Sequence, residues 1–277
     1  MRSRYRGGAC FTARRVSYTS ELAQVNENVP AKKKSAKRAL VERLRADGHA
    51  PSAEMAQKLI LAGLVRIDGI VVDKVGAQVA DSARVEVSQR REYVGRGAYK
   101  LEGALQAFGI SVSGAVCADV GACTGGFTEV LLRHGASKVY AIDVGYGNLD
   151  WKIRSDPRVV VMERTNARHL DSLGEPVSVV SIDVSFISLS KILPSVAKWL
   201  GASAHIVALV KPQFEARRAE IGDGGIVTDP AVHDRVVREI SDSLPAYGLT
   251  FRGVIPSPIL GSEGNKEFLV WAEKTGG

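Results

Sequence analysis

The feature that most constrains this chain is an apolar run that stops on an acid, crosses three glycines and re-emerges as an amphipathic pattern. It reads CADVGACTGGFTEVLLRHG, residues 117–135. That order is a strand, a tight turn and a helix, and such turns hold nucleotide-like ligands. Alternation continues after it. Strand patterns in KVYAIDV, RVVVME, PVSVVSIDV and AHIVALVKP are interleaved with helical ones such as LSKILPSVAKWL. DPAVHDRVVREISDSL opens on a cap and a first-turn proline and buries Val232, Val236, Ile240 and Leu244. LTFRGVIPSPI and KEFLVWAEK close the chain as strands, joined by the glycine-rich turn GSEGN. The expected fold class is α/β: a mostly parallel seven-stranded sheet covered on both faces, with an antiparallel edge and a ligand at the C-terminal strand ends.

The ligand follows from what the turn lacks. Gly121, Gly125 and Gly126 do not match the G-x-G-x-x-G dinucleotide spacing, and Phe127 stands where a Walker motif needs lysine. No Lys or Arg occurs from 101 through 132, which is unsuited to a polyphosphate. Acids flank the turn instead: Asp119 ends the first strand, and Asp143 ends the second, where a carboxylate accepts ribose hydroxyls. A cationic, phosphate-free nucleoside, S-adenosylmethionine, fits this charge pattern. The alternative is a purely structural glycine turn. Asn166, after the third strand, is the candidate for the adenine edge, and His169 reads as a surface residue. Cys123 reads as a small packing residue.

Bulk properties limit the rest. With 277 residues the chain can hold one or two domains, and no apolar run reaches the roughly 20 residues of a membrane helix. No signal-peptide pattern appears, so the expectation is a cytoplasmic protein. Cys10, Cys117 and Cys123 have no metal-binding spacing, so no metal is expected. Residues 1–100 carry 20 Lys+Arg against 10 Asp+Glu, whereas the remainder carries 17 against 20. A basic front on a near-neutral body points to a polyanionic partner.

That front has parts. Residues 1–34 read as a disordered basic tail. Residues 35–88 read as a small α+β unit: the helix AKRALVERLRADG with Leu40, Val41 and Leu44 on one face, then SAEMAQKLILAG capped by Ser52, with Met55, Leu59 and Ile60 inward. A hairpin around Asp68-Gly69 and the alternating ARVEVS complete it. Residues 89–94 read as a linker, and 95–277 as the larger domain, entered by a helix burying Leu101, Leu105 and Phe108.

Two helices followed by a small basic sheet resemble the S4 RNA-binding domain. The resemblance implies phosphate contacts from Lys32, Lys33, Lys34, Lys37, Arg38, Arg43, Arg45 and Lys58. The family's arginine after the serine of the second helix is replaced here by Ala53.

Four charged residues then stand at separate element ends: Lys100 in RGAYKLEGAL, Asp183 in DVSFISL, Lys211 in LVKPQFE and Glu267 in GSEGNKEF. Their order resembles the Lys-Asp-Lys-Glu tetrad of FtsJ-type RNA ribose 2′-O-methyltransferases. With GACTGGFTEVLL, DVGYGNL, ERTNAR and GGIVTDP, the stretch from about 36 to 277 resembles the hemolysin A (TlyA) family of rRNA 2′-O-methyltransferases. Cys123 departs from the usual serine and Tyr99 from a common histidine. The resemblance implies a Rossmann-like methyltransferase fold, S-adenosylmethionine as cofactor, and ribosomal RNA or subunits as partner, with cytidine the expected target; the lack of any spanning or amphipathic insertion segment argues against a membrane role. Asp119, Gly121, Gly125, Gly126, Phe127, Asp143 and Asn166 are then the cofactor residues.

The tetrad is chemically sensible. A ribose hydroxyl ionises poorly at neutral pH, and a lysine accepts a proton only where burial or a second cation disfavours its charge. Lys211 is expected to act as base or to orient the 2′-oxygen, with Asp183 orienting Lys211. Lys100 is expected beside Lys211, positioning the acceptor with Glu267. The loop 220–228 reads equally as a lid or as a plain loop. A membrane-active haemolysin and a catalytically inactive RNA-binding protein remain as other readings.

Overall fold

The computed structural model describes residues 37–88 and 92–275. The first segment holds β1 (Lys37–Ala39), α1 (Leu40–Ala46), α2 (Ala53–Leu61), β2 (Val65–Ile67), β3 (Ile70–Val71), β4 (Gln78–Ala80) and β5 (Val85–Val87). Leu40 and Leu44 of α1 close on Ala56 and Ile60 of α2, with Val65 and Val79 beneath. Ser52 caps α2, accepting from the Met55 N–H at 3.1 Å. The hairpin forms at Asp68-Gly69, and β5 adds to β2 in an antiparallel β3-β2-β5 sheet.

Two expectations change here. Lys37 and Arg38 lie in a strand rather than in the first helix, because β1 pairs antiparallel with β4, matching Lys37 to Ala80 and Arg38 to Val79. A distant backbone partner outweighs the helical pattern. Met55 faces solvent, because α2 seats through Ala56 and Ile60, one turn apart.

The second segment holds α3 (Ala98–Phe108), β6 (Val116–Val120), α4 (Gly126–Arg133), β7 (Lys138–Ile142), α5 (Trp151–Arg154), β8 (Val159–Met162), β9 (Val177–Ile182), α6 (Leu193–Trp199), β10 (Leu200–Val210), α7 (Pro212–Glu215), α8 (Pro230–Ser243), β11 (Thr250–Pro256) and β12 (Phe268–Lys274). The strands form one sheet in the order β11-β12-β10-β9-β6-β7-β8. Only β12 runs against its neighbours. Strand residues alternate between two cores. Cys117, Val139, Val179 and Val207 face α3 and α4, whereas Ala118, Tyr140, Val180 and Ile206 face α6 and α8. From β6 the chain moves to β7 on one side and later returns as β9 on the other. The C-terminal end of β6 is therefore the switch point where such sheets bind ligands.

Local departures have local causes. Glu92–Val94, expected as linker, belong to the larger domain: the Val94 N–H donates to Glu129 Oε2 at 2.6 Å and the Tyr93 hydroxyl to Glu102 at 3.0 Å. The expected helix 189–200 is a short turn at Leu189–Lys191 followed by α6, with Pro194 in the first turn. The final two strands are not joined by a tight turn. β11 stops at Pro256 and β12 starts at Phe268, so residues 257–267 form a long loop, and Glu267 is its last residue. Gly261 and Asn265 bond across it, N–H to carbonyl at 2.9 Å.

Candidate active site

Backbone conformation at the β6–α4 turn brings the chain close to its neighbours. Gly121 has φ +86°, and a Cβ there would strike the Asp183 carbonyl. Its N–H donates to Ile142 at 2.8 Å. Gly125, at φ +94°, leaves room only for Leu149 and Ile153, and Gly126 lies against the backbone of Gly95 and Ala98. The turn thus touches β9, α5 and the start of α3, the three places that carry or support the other site residues.

Two carboxylates brace this turn differently. Asp143 accepts the Cys123 N–H at 2.8 Å and the Gly145 N–H at 2.7 Å, and it lines a cavity. Asp119 does not. It is fully buried, accepts from the Thr128 and Ser181 hydroxyls at 2.7 and 3.0 Å, and reaches neither cavity wall. Burial pushes its carboxyl up to about 7, against the opposing pull of those two hydroxyls. Asp119 therefore corrects the expectation of a ligand contact: it holds β6, α4 and β9 together behind the turn. Gly125 likewise shapes the turn without joining a cavity wall.

Two cavities meet at the turn. The first, of about 280 Å³, is lined by all four tetrad residues together with Arg96, Gly97, Gly126 and Phe127. The second, of about 370 Å³, runs along the ends of β6, β7 and β9 past Asp143, Thr165, Asn166 and Phe186. Gly121, Cys123 and Asp183 line both. The second cavity is lined by apolar and neutral polar groups plus two carboxylates, with no Lys, Arg or His. Asn166 sits at its wall, its Oδ1 accepting the Arg168 N–H at 3.1 Å. Cys123 is exposed where the two cavities meet, at φ +48°, so it is not the packing residue expected.

In the first cavity each lysine has its own carboxylate. Lys100 Nζ, on the third residue of α3, lies 2.6 Å from Glu267 Oε2, both nearly buried. Lys211 Nζ, just past β10, lies 2.6 Å from Asp183 Oδ1 and donates to the Ser185 hydroxyl at 2.8 Å. The Lys211–Asp183 contact is an ion pair without hydrogen-bond alignment, so Asp183 Oδ1 is buried without an aligned donor. Sequence reasoning missed Ser185, two residues beyond Asp183, and Arg96, four before Lys100. Both lie inside the motif stretches quoted for the resemblance.

The loop 220–228 is tied down at Gly225 and Val227. The Val227 N–H donates to Asn265 Oδ1 at 2.9 Å, Asn265 Nδ2 donates to Gly225 at 3.0 Å, and His233 bonds the Val227 carbonyl. It pins the 257–267 loop, whose Ile259, Leu260 and Ser262 wall the first cavity.

Among the basic residues expected to meet RNA, Lys32, Lys33 and Lys34 lie outside the described residues. The Arg43 guanidinium pairs with Asp47 at 2.7 Å and reaches the carbonyls of Ala80, Asp81 and Ala83, stapling α1 to the β4–β5 turn. Arg38 pairs with Asp81 and Lys58 with Glu54, both exposed. Lys37 and Arg45 are exposed and make no ion pair among the described residues.

Comparison with known proteins fits this architecture. The S4 domain family matches residues 40–85, and the FtsJ-like methyltransferase family matches residues 93–274. Fold and site together define an FtsJ-like methyltransferase with an S4 domain in front. The 16S/23S rRNA (cytidine-2′-O)-methyltransferase TlyA of Mycobacterium tuberculosis is 48% identical over 228 residues, covering 81% of this chain and 85% of that protein. Hemolysin A of Brachyspira hyodysenteriae is 41% identical, covering 83% and 97%. A solved structure from Streptococcus thermophilus superposes with a TM-score of 0.67 at 42% identity, covering 86% and 89%. The chain belongs to the hemolysin A (TlyA) family.

Proposed function

We propose that this protein is an S-adenosylmethionine-dependent rRNA ribose 2′-O-methyltransferase acting in the cytoplasm, with cytidine as the target nucleoside. The observation that carries the reading is the pair of joined cavities. One has no cationic side chain and is edged by Asp143; the other holds both lysine–carboxylate pairs. The residues fit the cofactor. Gly121 and Gly126 line the first cavity as bare backbone, so a ligand there can lie against the main chain. Acidic walls suit a cation and would repel a pyrophosphate. Asp143 and Asn166 would hold the nucleoside part, and Gly121, Gly126 and Phe127 the part nearer the tetrad. Bound there, S-adenosylmethionine supplies an electrophilic methyl carbon.

The chain's own residues then position the acceptor. Lys211 has three N–H donors; one side is taken by Asp183 and another by Ser185, which leaves one for a ribose 2′-oxygen. Lys100, fixed by Glu267 across the cavity, holds the sugar from the other side. As the 2′-oxygen took the methyl group from the bound donor, whose sulfur would keep the electrons of the broken S–C bond, the hydroxyl proton would become strongly acidic and pass to the Lys211–Asp183 pair. Asp183 Oδ1, buried without an aligned donor, is the carboxylate oxygen suited to receive it. Holding the reactants in line supplies much of the rate, since effective molarities of ~10⁵ M or more are attainable.

RNA would approach over the cavity mouths. Phe186 is 92% exposed at φ +63° on the rim of the second cavity, its ring 5.1 Å from that of Phe214, and the exposed side of the ring could stack on a base. Nearby in the fold, Arg164 lies over the Tyr146 ring at 4.1 Å. Lys37 and Arg45 of the S4 unit supply further phosphate contacts.

Methyl incorporation from labelled cofactor into purified ribosomal subunits tests the reading. The wild type is expected to label rRNA, and Lys211→Ala to lose about 10²-fold or more in kcat while still binding S-adenosylhomocysteine. Undiminished labelling by Lys211→Ala would contradict the assignment.

A further inference from the structure

A third cavity, of about 350 Å³, lies across the 257–267 loop from the tetrad. It is lined by Pro230, His233, Asp234, Pro256, Ser257, Lys266 and Phe268, and it shares Leu260 and Glu267 with the catalytic cavity. The partition between the two is thin. At Gly261 a Cβ would strike Glu267 Oε1, so the loop backbone rests directly on the tetrad carboxylate. The partition is also held in place, because Asn265 ties it to Gly225 and Val227. We propose that this third cavity binds the nucleotide adjoining the target ribose in the RNA chain and favours a base with an exocyclic amine there. The proposal rests on the reading of the first cavity as a ribose methylation site.

The chemistry of the walls carries it. A ribose held between Lys100 and Lys211 sits beside Glu267, and the third cavity opens on the same carboxylate, which makes it the neighbouring space for an adjoining nucleotide. Lys266, adjacent to Glu267, is exposed and has no partner among the described residues, so its ammonium is free for a phosphate. Pro230, Pro256, Leu260 and Phe268 offer the apolar faces on which a splayed-out base stacks.

The polar groups at the edges mostly accept. Asp234 is exposed with no ion-pair partner, and its carboxylate only accepts when ionised. The Ser257 hydroxyl donates to the Ile259 carbonyl at 2.6 Å and accepts the Ile259 N–H at 3.4 Å, which leaves it one lone pair and no hydrogen to give. His233 Nε2 faces the Val227 carbonyl at 2.9 Å; a carbonyl cannot donate, so Nε2 carries the hydrogen there. The Asp234 carboxylate accepts an exocyclic N–H from adenine, guanine or cytosine, whereas uracil offers only a ring N–H flanked by two carbonyls that the carboxylate repels.

The test uses the full-length protein with ribosomal subunits assembled from rRNA carrying each of the four bases at the two positions flanking the methylated ribose. Initial rates of methyl transfer should show one flanking position at which uridine lowers kcat/KM by about tenfold against the three amine-bearing bases. Asp234→Ala should erase that discrimination. Lys266→Ala should raise KM for subunits by about fivefold while the Kd for S-adenosylhomocysteine is unchanged. Efficient transfer that is indifferent to both flanking bases, or discrimination that survives Asp234→Ala, overturns the pocket while leaving the methyltransferase reading intact. Absence of transfer to every subunit overturns that reading, and the pocket with it.

Discussion

Asp119 shows how a single residue can serve a site without touching its ligand. Its carboxyl is enclosed by β6, α4 and β9, and burial raises it to about 7 while the Thr128 and Ser181 hydroxyls partly offset the cost. An acid whose folded pKa lies above its unfolded value of about 3.9 binds a proton more readily in the folded chain. Its contribution to stability is therefore full below pH ~4, declines as pH rises, and is lost above about 7. Urea unfolding of the wild type and of Asp119→Asn across this range should show the wild type losing stability relative to the variant between pH ~4 and ~7, with a constant difference above. A difference that is flat across the range would mean that Asp119 is an ordinary exposed-type acid. The tetrad residues differ in kind: each lysine is matched with a carboxylate at 2.6 Å, so removing either partner leaves a charge stranded in a nearly closed space.

The β6–α4 turn is an element-scale device, because its glycines set distances between strands and helices. Gly121→Ala adds a methyl group against the Asp183 carbonyl at a φ that L residues rarely adopt. The variant should lose about 1–2 kcal/mol of stability and at least about a hundredfold in S-adenosylhomocysteine affinity. Unchanged affinity by calorimetry would remove the turn from the binding site. This turn was the most legible part of the sequence, since an apolar run, an acid and glycines leave few alternatives. The tetrad was legible only through family resemblance. Nothing in periodicity brings Lys100 within reach of Glu267, which is 167 residues away. Three things stayed hidden for physical reasons. The β1–β4 pairing depends on a partner about forty residues distant, so Lys37 and Arg38 read as helix. The long 257–267 loop read as a hairpin turn because glycine spacing does not report where pairing stops. The orientation of Asp119 depends on hydroxyls contributed by two other elements.

At the scale of the whole molecule, the S4 unit touches the larger domain beside the catalytic cavity. Arg96, which lines that cavity, pairs with Asp73 of the S4 unit and packs on Gly63, while Arg66 bonds Glu92 at 2.6 Å and lies 4.8 Å from the Tyr99 ring. In the proposed function, RNA bound by the small domain would lie beside the tetrad. Among the described residues no helix is long and apolar enough to cross a membrane, and no cluster of side chains is arranged to hold a metal. The account stands on a ribose oxygen being the acceptor. The most direct measurement is digestion of the labelled rRNA to nucleosides, with the methyl group located by mass spectrometry. Label confined to the ribose, as 2′-O-methylcytidine, is the predicted result; label on a base nitrogen or carbon would contradict the account.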